Sequence, residues 1–288
     1  MTKPISPAAW GTQLHKFWRT AGMSLPVDVG LLATEYSKKY TDPIVKVLGQ
    51  DMGKIDGMLV QRQRGDWCIV YNRHTSVQGR INFTLGHELG HYILHRNVQT
   101  EFQCSQKEIF DYNGAASRAL ESQANRFSSY LLMPIDDFRA QMENTAVSIE
   151  ALRHCADRYN VSLSAATIKW LEFTTEPAML IAARDGFVLW SIVSESARRM
   201  QAYIRPGTAL DPNVELHISS SATGDSKRTV PIGVWHSAYA AQEFSIVSDR
   251  YDMALFLVWL LPDGVDYEEE EALDVLDFMR ARASAGRG

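Results

Sequence analysis

The pattern His-Glu-x-x-His at residues 87–91 constrains this chain more than any other feature of its sequence. On a helix, His87 and His91 would lie on one face, one turn apart, and could direct two imidazole nitrogens at the same metal ion. Glu88 would project about 100° away from His87, beside that metal, because a helix has about 3.6 residues per turn. The pattern is typical of zinc metalloproteases, in which the glutamate acts as general base toward a water molecule.

The residues that flank this pattern favour a helix. Leu85, Leu89 and Ile93 recur every four residues and form an apolar stripe that would bury one side of the helix. Gly90 carries no side chain and would let the backbone pack closely under the metal. The alternative is a buried helix that carries the pattern by chance, and the apolar context disfavours it.

A third metal ligand must come from outside this pattern, because a catalytic zinc site has three protein ligands and one position for water. The candidate is Glu121, in a segment that Pro134 ends. The apolar residues of this segment have helical spacing and are Leu120, Ala124, Phe127 and Leu131. Glu121 lies at the edge of their stripe. The pattern alone leaves open whether Glu121 is a ligand or a solvated helix residue.

These two segments together resemble the ImmA/IrrE family of metallopeptidases. The resemblance rests on the run from Arg80 to His95, on Glu121-x-x-Ala124-Asn125-x-Phe127, and on Leu131-Leu132-Met133-Pro134. It covers roughly residues 25–173 and implies an α+β, zincin-like metallopeptidase domain. It further implies that His87, His91 and Glu121 bind the metal and that Glu88 is the base. Gly86 and Ser128 depart from the family, which usually has Ala at both positions.

Other side chains between the two predicted helices can also bind metals, and they are Glu101, Cys104, Glu108 and Asp111. We rank them below Glu121, because none of them opens a helix with the matching Ala124-Asn125 context. His95, one turn beyond His91, ranks below it as well and is expected at the surface or in support of a ligand.

The expected cofactor is Zn²⁺, with Mn²⁺ or another divalent metal as the alternative. Asn125 is expected to orient a group next to the metal. A donor to the developing oxyanion is also required, and Tyr92, Tyr112 and Tyr130 are candidates that the sequence does not separate. The resemblance implies a protein substrate, namely a helix-turn-helix transcriptional repressor.

Length and composition favour a two-domain chain in the cytoplasm. The chain has 288 residues and a net charge of −5, without the basic balance of a nucleic-acid-binding protein. No run of 18 apolar residues indicates a membrane span, and residues 1–7 lack the apolar core of a signal peptide. The three cysteines are far apart and form no CxxC pair, which predicts neither a disulfide framework nor a cysteine-type zinc site.

The predicted organisation has three parts. Residues 1–147 form the metallopeptidase domain, with helices and a small antiparallel sheet of three strands before the metal helix. We hypothesise that Ile69–Tyr71, in the last predicted strand Trp67–Tyr71, pairs with extended substrate; the alternative is a plain core strand. Residues 148–175 resemble a helix-turn-helix. Residues 176–288 form a strand-rich α+β domain, regulatory or sensor-like by resemblance to IrrE-like members.

The predicted function is metal-dependent hydrolysis of a peptide bond in a specific regulatory protein. The alternative is a metal-binding regulator that interacts with a partner and does not cleave it. A third class, a DNA-associated protein that uses residues 148–174, is disfavoured. The second helix of that segment offers only Lys169 to base edges, whereas DNA-reading helices present several Arg, Lys, Asn or Gln side chains.

Overall fold

The computed structural model describes residues 5–105, 115–143, 148–215, 225–248 and 253–262. The chain divides into two compact units, Met1–Thr174 and Thr175–Gly288. The first combines helices with a small sheet and the second is rich in strands, which confirms the α+β class. Among the described residues, no helix is long and apolar enough to cross a membrane.

Seven helices and four strands are described in the first unit. In chain order they are α1 (Pro7–Thr20), α2 (Val29–Ser37), β1 (Ile44–Gln50), β2 (Ile55–Gln61), β3 (Trp67–Asn72), α3 (Gln78–His95), β4 (Glu101–Ser105), α4 (Ala115–Leu132), α5 (Ile135–Met142), α6 (Ile149–Tyr159) and α7 (Leu163–Leu171). Side-chain oxygens cap the starts of several helices, as Asp28 does for α2 and Ser162 for α7. Such caps satisfy backbone N–H groups that have no partner within the helix.

The sheet of the first unit has the strand order β1-β3-β2-β4. β2 pairs antiparallel with β3 and with β4, whereas β1 runs parallel to β3, so the sheet is mixed and not purely antiparallel. β3 is therefore an interior strand, and the hypothesis that Ile69–Tyr71 pairs with substrate is wrong. β4 lies at an edge of the sheet, next to the metal-binding pattern. The sequence analysis did not predict this strand.

Helices α3 and α4 pack against each other in antiparallel directions, with α1 on the other side of α4. The close approach of α3 and α4 depends on Gly90. A Cβ on Gly90 would lie 3.0 Å from Phe127 Cδ1 and 3.2 Å from the Ala124 backbone. The predicted stripe residues Leu89, Phe127 and Leu131 are fully buried. The backbones of α3 and α4 therefore come close at the level of the metal-binding pattern.

Helices α6 and α7 complete the first unit and correspond to the predicted helix-turn-helix-like segment. Asn160, with φ 48°, ends α6 in the left-handed conformation that asparagine tolerates better than most residues. Asp137 of α5 accepts hydrogen bonds from the Arg158 guanidinium at 2.8 Å and from the Tyr159 hydroxyl at 2.7 Å. These contacts attach α6 to the helix that follows α4.

The second unit is built on a five-stranded antiparallel sheet in the order β6-β5-β9-β8-β7. Its elements are β5 (Ala178–Arg184), β6 (Phe187–Val193), α8 (Glu195–Arg199), β7 (Asp225–Val230), β8 (Ala240–Ser248) and β9 (Met253–Leu261). Asp185 and Gly186 form the two-residue hairpin turn between β5 and β6, both with positive φ. Ile181, Phe256 and Val258 are among its fully buried core residues.

We expect residues 1–174 to fold without the second unit, since the first unit has its own buried core. A protein of residues 1–174 should unfold in one cooperative transition, measured by circular dichroism on heating. A matched control ends at Asn160 and lacks α7, whose Trp170 and Leu171 are buried in the same unit, so it should lose that transition. An insoluble 1–174 protein would show that the two units depend on one another.

Candidate metal centre

Three side chains converge where α3 faces α4. The Nε2 atoms of His87 and His91 lie 2.9 Å apart. Glu121 of α4 places one carboxylate oxygen 3.0 Å from His87 Nε2 and the other 3.2 Å from His91 Nε2. Ligand atoms about 2.0–2.1 Å from a tetrahedral zinc ion are separated by about 3.3 Å. The three residues that the sequence and the resemblance selected are thus arranged at the spacing of metal ligands.

Hydrogen bonds at the far side of each imidazole orient the two histidines. His87 Nδ1 lies 2.8 Å from Asn125 Oδ1, so a proton on Nδ1 donates to this amide and leaves the lone pair of Nε2 facing the site. His91 Nδ1 lies 3.0 Å from His95 Nδ1, and His95 Nε2 lies 3.1 Å from Gln123 Oε1. If His95 donates to Gln123, it accepts from His91, whose Nε2 then also presents a lone pair.

Burial also restricts the orientation of the three histidine rings. His87, His91 and His95 are 1%, 0% and 3% exposed, so His95 supports His91 and is not a surface residue. Phe102 of β4 stacks on the His91 ring with centroids 4.4 Å apart. Burial lowers the pKa of His91 to about 4. His91 therefore stays neutral at physiological pH and keeps the lone pair that a metal needs.

Glu88 points into the same site from the next position of α3. Its side chain is fully buried, and within the described residues neither carboxylate oxygen has a hydrogen-bond partner. Burial raises the pKa of Glu88 to about 8, against the opposing effect of His87 and with the repulsion of Glu121. A buried carboxyl without a partner costs free energy, and a nearby cation or substrate group would offset that cost.

Glycine at position 57 of β2 makes room for this carboxyl group. A Cβ on Gly57 would collide with the Thr84 methyl group and lie 2.9 Å from Glu88 Oε1. No sequence pattern had indicated this residue, because it acts through a contact between β2 and α3. Any larger side chain at position 57 would displace Glu88 from its place beside the histidines.

The side chains fit a divalent cation on their own chemistry. Two imidazoles and a carboxylate at 2.9–3.2 Å require positive charge among them. Burial would lower the pKa of His87, but the neighbouring Cys104, Glu121 and Glu88 groups outweigh it and raise that pKa well above its usual value, so a proton on His87 supplies the charge when no cation is bound. Burial would raise the pKa of Glu121, but the two histidines outweigh it and lower that pKa to about 2. The site thus favours positive charge next to a carboxylate that stays ionised.

Of the rival ligands, Cys104 alone is seen at this site among the described residues. Its thiol belongs, with His87 and Glu121, to a group whose ligand atoms all lie within 4.8 Å of one another. The Glu101 side chain is exposed and accepts a hydrogen bond from Gln103. Glu108 and Asp111 lie outside the described residues.

Two of the three proposed oxyanion donors are engaged elsewhere. The hydroxyl of the fully buried Tyr92 donates to the backbone carbonyl of Asp42 at 2.9 Å. The Tyr130 ring lies 3.2 Å from the amine of Lys169, and its hydroxyl interacts with Glu172. Tyr112 lies outside the described residues. Neither Tyr92 nor Tyr130 is therefore placed to stabilise an oxyanion at the metal.

The two departures from the family pattern contact each other. Ser128 donates from its hydroxyl to the Phe83 carbonyl at 3.0 Å. That hydroxyl occupies the space that a Cβ on Gly86 would need. Gly86 and Ser128 therefore replace two alanines as a compensating pair, and the separation of α3 from α4 can be kept.

Comparisons with known proteins agree with this geometry. Residues 41–171 match the family model of the peptidase M78, IrrE N-terminal-like domain. A solved structure described as a Mycobacterium tuberculosis transcriptional regulator has a similar fold, with a TM-score of 0.50 and 12% identity over 87% of this chain and 76% of that one. No curated protein matches the chain in sequence. The expected resemblance to the ImmA/IrrE family is confirmed for residues 41–171, which form an IrrE N-terminal-like, metallopeptidase-like domain.

Proposed function

We propose that this chain is a metal-dependent endopeptidase that hydrolyses a peptide bond in a specific regulatory protein. The observation that supports it most is the convergence of His87, His91 and Glu121 beside the unpaired, fully buried carboxyl group of Glu88. Two imidazoles and one carboxylate are the ligand set of several catalytic zinc sites, and we propose Zn²⁺, with Mn²⁺ or another divalent ion as the alternative.

Each residue of the candidate metal centre has a defined task in this proposal. His87, His91 and Glu121 hold the cation, with His87 oriented by Asn125. The cation supplies Lewis acidity toward the scissile carbonyl and a water molecule. Glu88 takes a proton from that water and passes it to the leaving amine. Burial raises the pKa of Glu88 to about 8, and a cation beside it would lower that pKa, which favours the ionised carboxylate that a general base requires.

The proposed substrate is a helix-turn-helix transcriptional repressor in the cytoplasm, on the ground of the family resemblance. The free cysteines Cys68, Cys104 and Cys155 fit a reducing compartment. A peptidase in that compartment must be selective, and docking of a partner that presents an extended segment is one way to achieve this.

We do not propose that the helix-turn-helix-like segment reads DNA. Lys169 is the one basic residue within α7, and it is fully buried above the ring of Tyr130. Its amine therefore faces the protein interior, whereas base recognition requires side chains that reach into a groove.

Mixing the metal-loaded protein with the repressor encoded by its neighbouring gene tests the proposal. We expect one discrete cut in the repressor, identified by mass spectrometry of the fragments, and slow or absent cleavage of unfolded casein. The matched control is Glu88→Gln, which should leave the repressor intact. Rapid digestion of casein would contradict a regulatory role. An uncut repressor that still binds would support the alternative of a metal-binding regulator that does not cleave.

A further inference from the structure

Cys104 shares a face of the sheet with the residue that makes room for Glu88. In the antiparallel pair of β2 and β4, Cys104 lies opposite Gly57, and residues in direct opposition project to the same side of a sheet. The missing side chain of Gly57 is the space next to Glu88. The Cys104 side chain, 7% exposed, is therefore directed toward the base and the ligands.

The Cys104 thiol also lies close to two of the candidate metal ligands. Its sulfur, a nitrogen of His87 and an oxygen of Glu121 all lie within 4.8 Å of one another. In a tetrahedral zinc site with a Zn–S bond of about 2.3 Å and a Zn–N bond of about 2.0 Å, sulfur and nitrogen ligands are about 3.5 Å apart. From the 4.8 Å limit, a rotation of the thiol or a small shift of β4 would bring the sulfur to that spacing. β4 is short and, in the described sheet, pairs with β2 alone, which leaves it able to shift.

A fourth protein ligand changes what a metal centre can do. Catalytic zinc sites keep one position for water or substrate, whereas sites with four protein ligands, often including cysteine, are structural and closed. A thiolate binds zinc more strongly than a neutral water does, because it is soft and charged. A cysteine in this position would compete with the water molecule on which Glu88 acts.

We propose that Cys104 is an inhibitory fourth ligand, whose thiolate closes the metal centre and holds the peptidase latent until β4 moves. The inference rests on the metal centre of the proposed function. On coordination the thiol releases its proton to solvent and the sulfur binds the cation through a lone pair, without any change of oxidation state. The Glu88 carboxyl group beside the same cluster, without a hydrogen-bond partner in the described part of the chain, is a second observation that a cation belongs in this space.

Cobalt substitution tests the ligand assignment directly. The full-length protein, stripped with a chelator and given one equivalent of Co²⁺, should show a thiolate-to-cobalt charge-transfer band in the near ultraviolet. Cys104→Ala should lose that band and keep the visible cobalt bands of nitrogen and oxygen ligands. Cys68→Ala and Cys155→Ala are matched controls, because both cysteines are buried on other elements, and they should keep the band.

X-ray absorption of the zinc-loaded wild-type protein answers the same question if Cys104→Ala does not fold. We expect one sulfur at about 2.3 Å among nitrogen and oxygen ligands at about 2.0–2.1 Å. In the repressor assay, Cys104→Ala should cleave about tenfold faster or more, because a latent state that dominates tenfold leaves a tenth of the protein open.

The outcomes separate this inference from the function on which it rests. Cobalt bound through nitrogen and oxygen alone, with no sulfur near the zinc, overturns the role of Cys104 and leaves the peptidase proposal standing. A protein that binds neither metal overturns both. A sulfur ligand in a protein whose Cys104→Ala variant cleaves no faster shows that Cys104 binds the metal without inhibiting, and this too overturns the proposal.

Discussion

Glu88→Gln is expected to keep its metal and to lose on the order of 10²–10⁴-fold in the rate of repressor cleavage, the usual contribution of a general base. The amide is close in shape to the carboxyl group and fits the space beside Gly57. It cannot accept a proton from water at neutral pH. The rate of fragment formation and the bound metal, measured on the same preparation, test this expectation.

Glu101→Gln is the matched control for this variant. Glu101 lies on β4, the same strand as Cys104, but its side chain is exposed. We expect its cleavage rate to stay within about twofold of wild type, because exposed side chains away from the reacting atoms contribute little. Unchanged turnover in Glu88→Gln would show that another group acts as the base.

His87→Ala and Glu121→Ala, each made together with Cys104→Ala so that the thiol cannot replace the lost ligand, are expected to reduce bound metal from about one ion per chain to nearly none after dialysis. Each variant removes one of three ligands, and the two that remain do not form a catalytic zinc site. Elemental analysis of the dialysed protein measures the loss. Asn125→Ala, which removes the hydrogen bond to His87 Nδ1, should weaken metal affinity by about 10–100-fold without abolishing binding.

His154→Ala provides the control for histidine loss, since His154 is exposed on α6 and interacts with Gln141. It should retain the full metal content. If Glu121→Ala also remains fully loaded, the third ligand has been assigned wrongly. Glu101, Glu108 and Asp111 are then the side chains to test next, as the other carboxylates between the two motifs.

Helices α3, α4, α6 and α7 were predictable because their signals are local. The apolar spacing of Leu89 in α3 and of Ala124, Phe127 and Leu131 in α4 corresponds to the buried faces of these helices. The bounds of α6, Ile149 and Tyr159, also depend on neighbouring residues, since the Ser148 side chain caps its start and Asn160 ends it. Two histidines at positions i and i+4 meet on any helix.

The sheet was less predictable because strand pairing is not local. β4 has five residues and no strong pattern, and its partner β2 lies about 40 residues earlier in the chain. In a three-stranded antiparallel sheet with its strands in chain order, β3 would lie at an edge, whereas in the structure it lies between β1 and β2. β4 also brings Cys104 and Phe102 to the histidines. Because this strand was not predicted, the sequence indicated Cys104 as a possible metal ligand only from its residue type.

The sequence by itself determined the metal-binding pattern, the helices that carry it and, through the family resemblance, the choice of Glu121. These depend on spacing within single helices or on two motifs in order. The sequence also selected Asn125 and offered His95 as a support, but only the tertiary structure decided the contacts: Asn125 with His87, His95 and Gln123 behind His91, Gly57 beside Glu88, and Cys104 near His87 and Glu121. Packing of α3 against α4 and the sheet creates these contacts. The burial that comes with that packing raises the pKa of Glu88 and leaves its carboxyl group directed at the site.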